Sequence, residues 1–131
     1  MSEVTFTINQ PPMPAEICDL REAVGWGRRE SDYPAAFAGY WATVSGRAAD
    51  GALVAWCAIL SDGVCHAVLL DVIVHPSYQG RGHGRALVRA AIAHCQAHGI
   101  SIIHVDYLPE KQAFYERCGF ITGLGGIIEL P

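Results

Sequence analysis

The tightest constraint in this sequence is the succession of a strand, a glycine-rich loop and a helix between residues 66 and 98. His66-Ala-Val-Leu-Leu-Asp-Val-Ile-Val74 is apolar at nearly every position after the first and is interrupted only by Asp71. A run of that length reads as a strand, and its near-continuous apolarity suggests a central strand covered on both faces. Beyond the loop His75–Gly84, the residues Leu87, Val88, Ala91, Ile92 and Cys95 recur at helical spacing. Arg85, Arg89 and Gln96 fall on the opposite side, so the pattern predicts an amphipathic helix over Arg85–His98, stopped by Gly99. Ser101–Val105 then reads as a second buried strand. Strand, helix and strand in this order form a βαβ unit with parallel strands.

The chain before this unit reads as antiparallel. Asp50-Gly51 and Asp62-Gly63 favour tight hairpin turns and divide the region into strands near 42–49, 52–61 and 64–75. Val4–Ile8 alternates strictly and fits an edge strand, ended by Pro11, Pro12 and Pro14. Helices are predicted over Ala15–Val24 and from Pro34 to Tyr40, and another over Glu110–Cys118. Gly125-Gly126 separates two last short strands, Phe120–Thr122 and Ile127–Leu130. The fold class is therefore α/β in content (α+β): a mixed, mainly antiparallel sheet flanked by helices, with a central parallel βαβ unit. With 131 residues, no repeat and no linker, the expectation is a single domain over 1–131.

Composition narrows the function classes. At 51% hydrophobic and 17% charged residues the chain can build a packed core, which excludes disorder. The net charge of -4, with nine basic against thirteen acidic residues, excludes the clustered positive field of a strong nucleic-acid grip. The five cysteines, at 18, 57, 65, 95 and 118, form no C-x-x-C pair and are read as reduced core thiols. His94 and His98 share a helix face, but no third ligand accompanies them, so no metal site is expected. The start, MSEVTFTINQ, lacks a basic and then apolar leader, and Ala67–Val74 is too short to cross a bilayer. These features predict a cytoplasmic protein with no nucleic-acid or membrane partner.

The chemistry should lie in Gln79-Gly-Arg-Gly-His-Gly-Arg85, which joins a buried strand to a helix. Glycine lets a ligand approach the backbone, and the first turn of a helix offers unpaired N–H groups at a positive dipole end. Together with Arg81 and Arg85 these form a site for a phosphate or diphosphate. A dinucleotide fold would want G-x-G-x-x-G directly after the strand and an acid about 20 residues on. Asp106 stands at a suitable distance, but the glycines at 80, 82 and 84 are spaced G-x-G-x-G and the earlier strands are antiparallel.

Gln79-Gly80-Arg81-Gly82-His83-Gly84, preceded by Val74-His75-Pro76 and followed downstream by Phe114-Tyr115-Glu116-Arg117-Cys118-Gly119-Phe120, resembles the signature segments of the GNAT superfamily of acetyl-CoA-dependent acetyltransferases. The resemblance is strongest from Ala67 to Phe120 and implies the GNAT fold with acetyl-CoA as co-substrate and no metal. It implies that the pantetheine arm pairs with backbone at Ile73 and Val74. It also implies that amides from Gly80 to Arg85, in the loop that Gln79 begins, bind the diphosphate. His83, within that loop, has no implied catalytic part. Tyr115 matches the family's general acid, which protonates the departing thiolate. Where related enzymes carry a glutamate and an asparagine, this chain has Val68 and Leu108. Asp71, His66, His104, Asp106 and Glu110 stay open as bases, Asp71 foremost as an acid within an apolar strand.

Acetyl would pass directly to a primary amine of a small molecule or protein, with no thiol nucleophile. Trp26, Tyr33, Phe37, Tyr40 and Trp41 cluster around the N-terminal helices, as wall of the acceptor pocket, as core or as a dimer contact. Ile127-Ile128 offers another contact for a homodimer. The rival reading is a non-catalytic acyl-CoA-binding sensor on the same fold, which would bind acetyl-CoA without turnover.

Overall fold

Five strands form one sheet in the order β1-β2-β3-β4-β5 in a computed structural model that describes residues 3–131. The strands are β1 (Val4–Ile8), β2 (Ala42–Ala48), β3 (Leu53–Ser61), β4 (His66–Val74) and β5 (Ile102–His104). The first four pair antiparallel and β4 pairs with β5 in parallel, as the mixed-sheet reading requires. Helices α1 (Pro14–Ala23) and α2 (Tyr33–Gly39) precede β2, α3 (His83–Ala97) joins β4 to β5, and α4 (Gln112–Arg117) follows. Short 3-10 turns occupy Glu30–Asp32, Pro76–Tyr78 and Pro109–Lys111.

Local chemistry sets these boundaries. Asp62 Oδ1 accepts the backbone N–H groups of Val64, Cys65 and His66 at 2.8, 2.9 and 3.1 Å, which closes the β3–β4 turn. Pro14 starts α1, where Glu16 Oε1 accepts the Met13 N–H at 2.9 Å. The Glu16 carboxylate also meets Arg47 of β2 at 2.7 Å, tying the helix to the sheet.

Successive side chains of β3 point to opposite faces and divide the core in two. Ala55, Cys57 and Ile59 pack with Leu87, Val88, Ala91 and Cys95 of α3 and with Tyr115 of α4. Trp56 and Ala58 pack with Ile17, Cys18 and Leu20 of α1 and with Tyr33 of α2. The strand buried on both faces is thus β3, at the middle of the sheet, whereas β4 is only partly buried. Opposite Cys57, β4 carries an extra residue. The register runs from Trp56↔Ile73 to Ala58↔Leu70, and Asp71 takes a left-handed φ of 53°. This is a β-bulge, in a conformation that Asp tolerates better than most residues.

The last third of the chain departs most from expectation. β5 spans three residues rather than Ser101–Val105, and it is an edge strand with Ile102 44% exposed. The strands expected at Phe120–Thr122 and Ile127–Leu130 do not form, because short runs divided by Gly123, Gly125 and Gly126 find no ladder to join. Ile121, Leu124, Ile127, Ile128 and Leu130 are exposed there. The last helix is shorter than Glu110–Cys118, since Pro109 opens a 3-10 turn before α4. Three cysteines, Cys18, Cys57 and Cys95, lie in the core, but Cys65 and Cys118 are half-buried at its margin. Trp41 leaves the N-terminal aromatic group and packs on His94 and His98 of α3.

Candidate active site

β4 and β5 pair only over His66–Val68 with Ile102–His104. Beyond Val68, β4 stays paired with β3, across the bulge at Asp71, as far as Val74, while the chain after β5 leaves the sheet. The far half of β4 therefore has an open edge. His75 donates its N–H to Val54 O of β3 at 2.8 Å. By strand alternation the Val74 peptide groups face the open side, and those of Ile73 face β3. Val74 O accepts a hydrogen bond from Gln79 Nε2 at 2.9 Å, so Gln79 fastens the start of the loop to the strand end.

The loop arrives at the N-terminus of α3 through Gly80 and Gly82, both at positive φ, with Gly82 as the N-cap. No side chain caps this end. The N–H groups of His83, Gly84 and Arg85 thus lack helical acceptors, and α3 begins two residues earlier than the periodicity predicts. A Cβ placed on Gly80 or Gly82 would stand in open space. One on Gly84 would meet the Phe114 ring at 3.1 and 3.2 Å, so Gly84 is small because α4 leans on α3 there. Arg81 lies over the Tyr78 ring, 5.8 Å from its centroid, and His83 buries its Nε2 with no hydrogen-bond partner among the described residues.

Tyr115 is 6% exposed and stacks on Tyr107, the centroids 4.7 Å apart and the planes at 18°. Phe114 and Phe120 meet it edge-on. Burial, reinforced by the neighbouring Cys57 and Cys118 thiols, pushes its phenol well above the ordinary tyrosine range. Tyr107, which follows β5, bonds Thr122 through their hydroxyls, and Thr122 in turn bonds Glu116 at 3.1 Å.

Asp71, at the bulge, meets Arg21 Nη1 through Oδ2 at 3.3 Å. Arg21 is 8% exposed; its Nε donates to Gly27 O at 2.7 Å, and its guanidinium lies over Trp26 at 5.4 Å. Tyr33, Phe37 and Tyr40 form a ring series on the same side, continued by Trp56. Burial first, and Asp71 next, push Tyr40 up to about 12 and raise Tyr33 as well. Arg21 was visible in the sequence as a charge four residues after Ile17 on the apolar stripe of α1, but its partner was not. The other open candidates lie apart. His66 and His104 face each other, 3.2 Å between ring nitrogens, on the paired half of β4 and β5.

A mainly antiparallel sheet that opens beside one parallel partner, with a helix N-terminus at the opening that no side chain caps, defines a class of α+β protein. The sequence pattern of the Acetyltransferase (GNAT) family matches residues 5–120, and the chain belongs to that family. Serotonin N-acetyltransferase 2, chloroplastic, of Oryza sativa subsp. japonica is 38% identical over 80 residues, 61% of this chain and 40% of the rice protein. A chloroplastic GCN5-related N-acetyltransferase of Arabidopsis thaliana is 36% identical over 74 residues, 56% of this chain and 38% of the relative. The match thus spans about two fifths of these curated relatives. Among solved structures, an aminoglycoside N-acetyltransferase in complex with CoA superposes with a TM-score of 0.78 at 18% identity, covering 100% of this chain and 96% of the other. A GNAT-family protein from Streptococcus pneumoniae gives 0.79 at 22%, covering 98% of each. The fold is shared with both. No helix among the described residues is long and apolar enough to cross a membrane.

Proposed function

We propose that this chain is an acetyl-CoA-dependent N-acetyltransferase that passes the acetyl group directly to a primary amine. The observation that carries this reading is the convergence, at the open half of β4, of a free strand edge, an uncapped helix N-terminus and a buried phenol. The residues fit the co-substrate, since positive-φ glycines front open space and the first amides of α3 have no acceptor. Acetyl-CoA supplies an activated thioester with a thiolate as leaving group.

The amides of the Gly80–Arg85 loop, begun by Gln79 and including Arg81 and His83, take the diphosphate. Val74, with Ile73 beside it, offers the strand edge to the pantetheine arm. Tyr115 stays protonated at neutral pH and holds the proton that the departing sulfur needs. Asp71 Oδ1, opposite the oxygen held by Arg21, accepts a proton from the incoming ammonium. As the C–N bond forms and the C–S bond breaks, the second amine proton passes to water. Burial pushes the Cys57 thiol up to about 12, which supports direct transfer over a thiolate nucleophile.

The acceptor side supports an aromatic amine. Trp26, Phe37 and Tyr40 are part-exposed beside the Asp71 carboxylate, a surface for a ring and an ammonium. Arg21, Arg28 and Arg29 are each paired with acids on this side, so among the described residues these three offer no free cation to a phosphorylated acceptor. This favours the substrate named for the rice serotonin enzyme over that of the glucosamine 6-phosphate N-acetyltransferase of the same plant. Thiol release from acetyl-CoA, measured with tryptamine or serotonin and with glucosamine 6-phosphate, tests the reading. Faster release with the arylalkylamines is expected. Saturable acetyl-CoA binding without release for any amine would replace this reading with the sensor module.

Two further expectations belong to the same reading. The exposed apolar side chains of 121–130 support a homodimer in which a second copy covers them, and a monomer by light scattering at all concentrations would overturn that. Cytoplasmic placement is likewise proposed, with cell fractionation as its test.

A further inference from the structure

The positive charges of this chain are sorted by place. Of its eight arginines, Arg21, Arg28, Arg29 and Arg47 each meet a carboxylate, at distances from 2.6 to 3.3 Å. Arg81 lies over Tyr78. The remaining three, Arg85, Arg89 and Arg117, have no carboxylate within ion-pair distance among the described residues. All three are exposed.

They are also gathered. Arg85 and Arg89 stand one turn apart in the first half of α3, on one face of the helix. Arg117 ends α4, which is seated on the start of α3 through Phe114 against Gly84. Burial raises the Cys118 thiol, and the charges of Arg85, Arg89 and Arg117 all oppose that rise, in keeping with three arginines near the end of α4. Three guanidiniums without counter-charge repel one another, and an anion relieves that repulsion. In a chain with a net charge of -4, this grouping lies directly beside the loop whose amides await a diphosphate.

A phosphomonoester carried near the diphosphate on the same ligand would reach it. The nucleotide end of coenzyme A has such a group, on the ribose 3′ position. We propose that Arg85, Arg89 and Arg117 bind this ribose phosphate and make the protein selective for coenzyme A over its 3′-dephospho form. The proposal rests on the acetyl-CoA reading above. Guanidinium is well suited to the part, because its planar donors match phosphate oxygens in pairs.

The test is calorimetric titration of the full chain with coenzyme A and with 3′-dephospho-coenzyme A, for the native sequence and for Arg89→Gln with Arg117→Gln. The native chain should bind coenzyme A about tenfold tighter, which three exposed charge pairs supply together. That preference should shrink as salt is raised. The double variant, which keeps Arg85, should lose most of that preference while its affinity for the dephospho form and its circular dichroism spectrum stay native. Equal binding of both forms by the native chain, or a variant that weakens both equally, would overturn this assignment and leave the acetyl-CoA reading standing. Binding of neither form would overturn both.

Discussion

Gly82 and Gly84 stand two residues apart in one loop and are glycines for different reasons. Gly82 has a φ of 85° and open space in front of it, so an alanine there costs about 1–2 kcal/mol of backbone strain and projects into the space before the α3 N-terminus. Gly84 is pressed by Phe114 at 3.1 Å, so an alanine there overpacks the α3–α4 contact, at about 1–3 kcal/mol. Gly82→Ala should weaken coenzyme A binding more than it lowers the melting temperature, and Gly84→Ala the reverse; titration and thermal denaturation of both variants check this. Tyr115→Phe should lower kcat by about 10²-fold or more with little change in acetyl-CoA affinity, while an unaltered rate would leave Tyr115 as packing alone. Asp71→Asn should change the pH profile of turnover, whereas lost stability with an unchanged profile would make Asp71 structural. At this scale the sequence was read through spacing. Spacing marks the loop and Tyr115 as candidates, but not the contact of Gly84 with Phe114, which is thirty residues away in the chain.

Among the elements, the β3–β4 hairpin depends on one carboxylate. Three backbone amides hold Asp62 below the ordinary carboxylate range. Its contribution to stability is therefore complete above the unfolded-state value and is lost as pH falls through the lower folded-state value. Asp62→Ala should lower the melting temperature at neutral pH and flatten its dependence on acid, as followed by thermal scans across that range. The turn was legible as Asp-Gly, and α3 as a stripe of apolar residues. β5 was not, because Ile102 and Ile103 carry the apolarity of a buried strand while only one neighbour pairs with them. The tail failed for the related reason that a strand is defined by its partner, which local propensity cannot supply.

The whole molecule holds protons that its unfolded chain would release. Burial raises Tyr33, Tyr40, Tyr115 and Cys57 above their ordinary values. The stability they represent is present below those ordinary values, from about pH 9 to 10, and is lost as pH rises through the folded-state values. Alkaline unfolding followed by circular dichroism should therefore begin above that range, and Tyr40→Phe should move its onset upward. The mixed sheet was foreseeable from two Asp-Gly turns and one βαβ unit, whereas the identity of the central strand was not. β3 alternates regularly between the two cores. Its neighbour does not: Ala67 and Leu69 face the α3 side, as do Val72 and Val74, while Leu70 and Ile73 face α1 and α2. Asp71 acts as a phase shift between odd and even positions, which is why the run from 67 to 74 looks apolar throughout. Removing Asp71 outright would leave Leu70, Val72, Ile73 and Val74 on the faces they already occupy, with Val72 opposite Cys57 in an unbroken ladder. The two cores therefore do not need the bulge, and what the chain would lose is the carboxylate that meets Arg21.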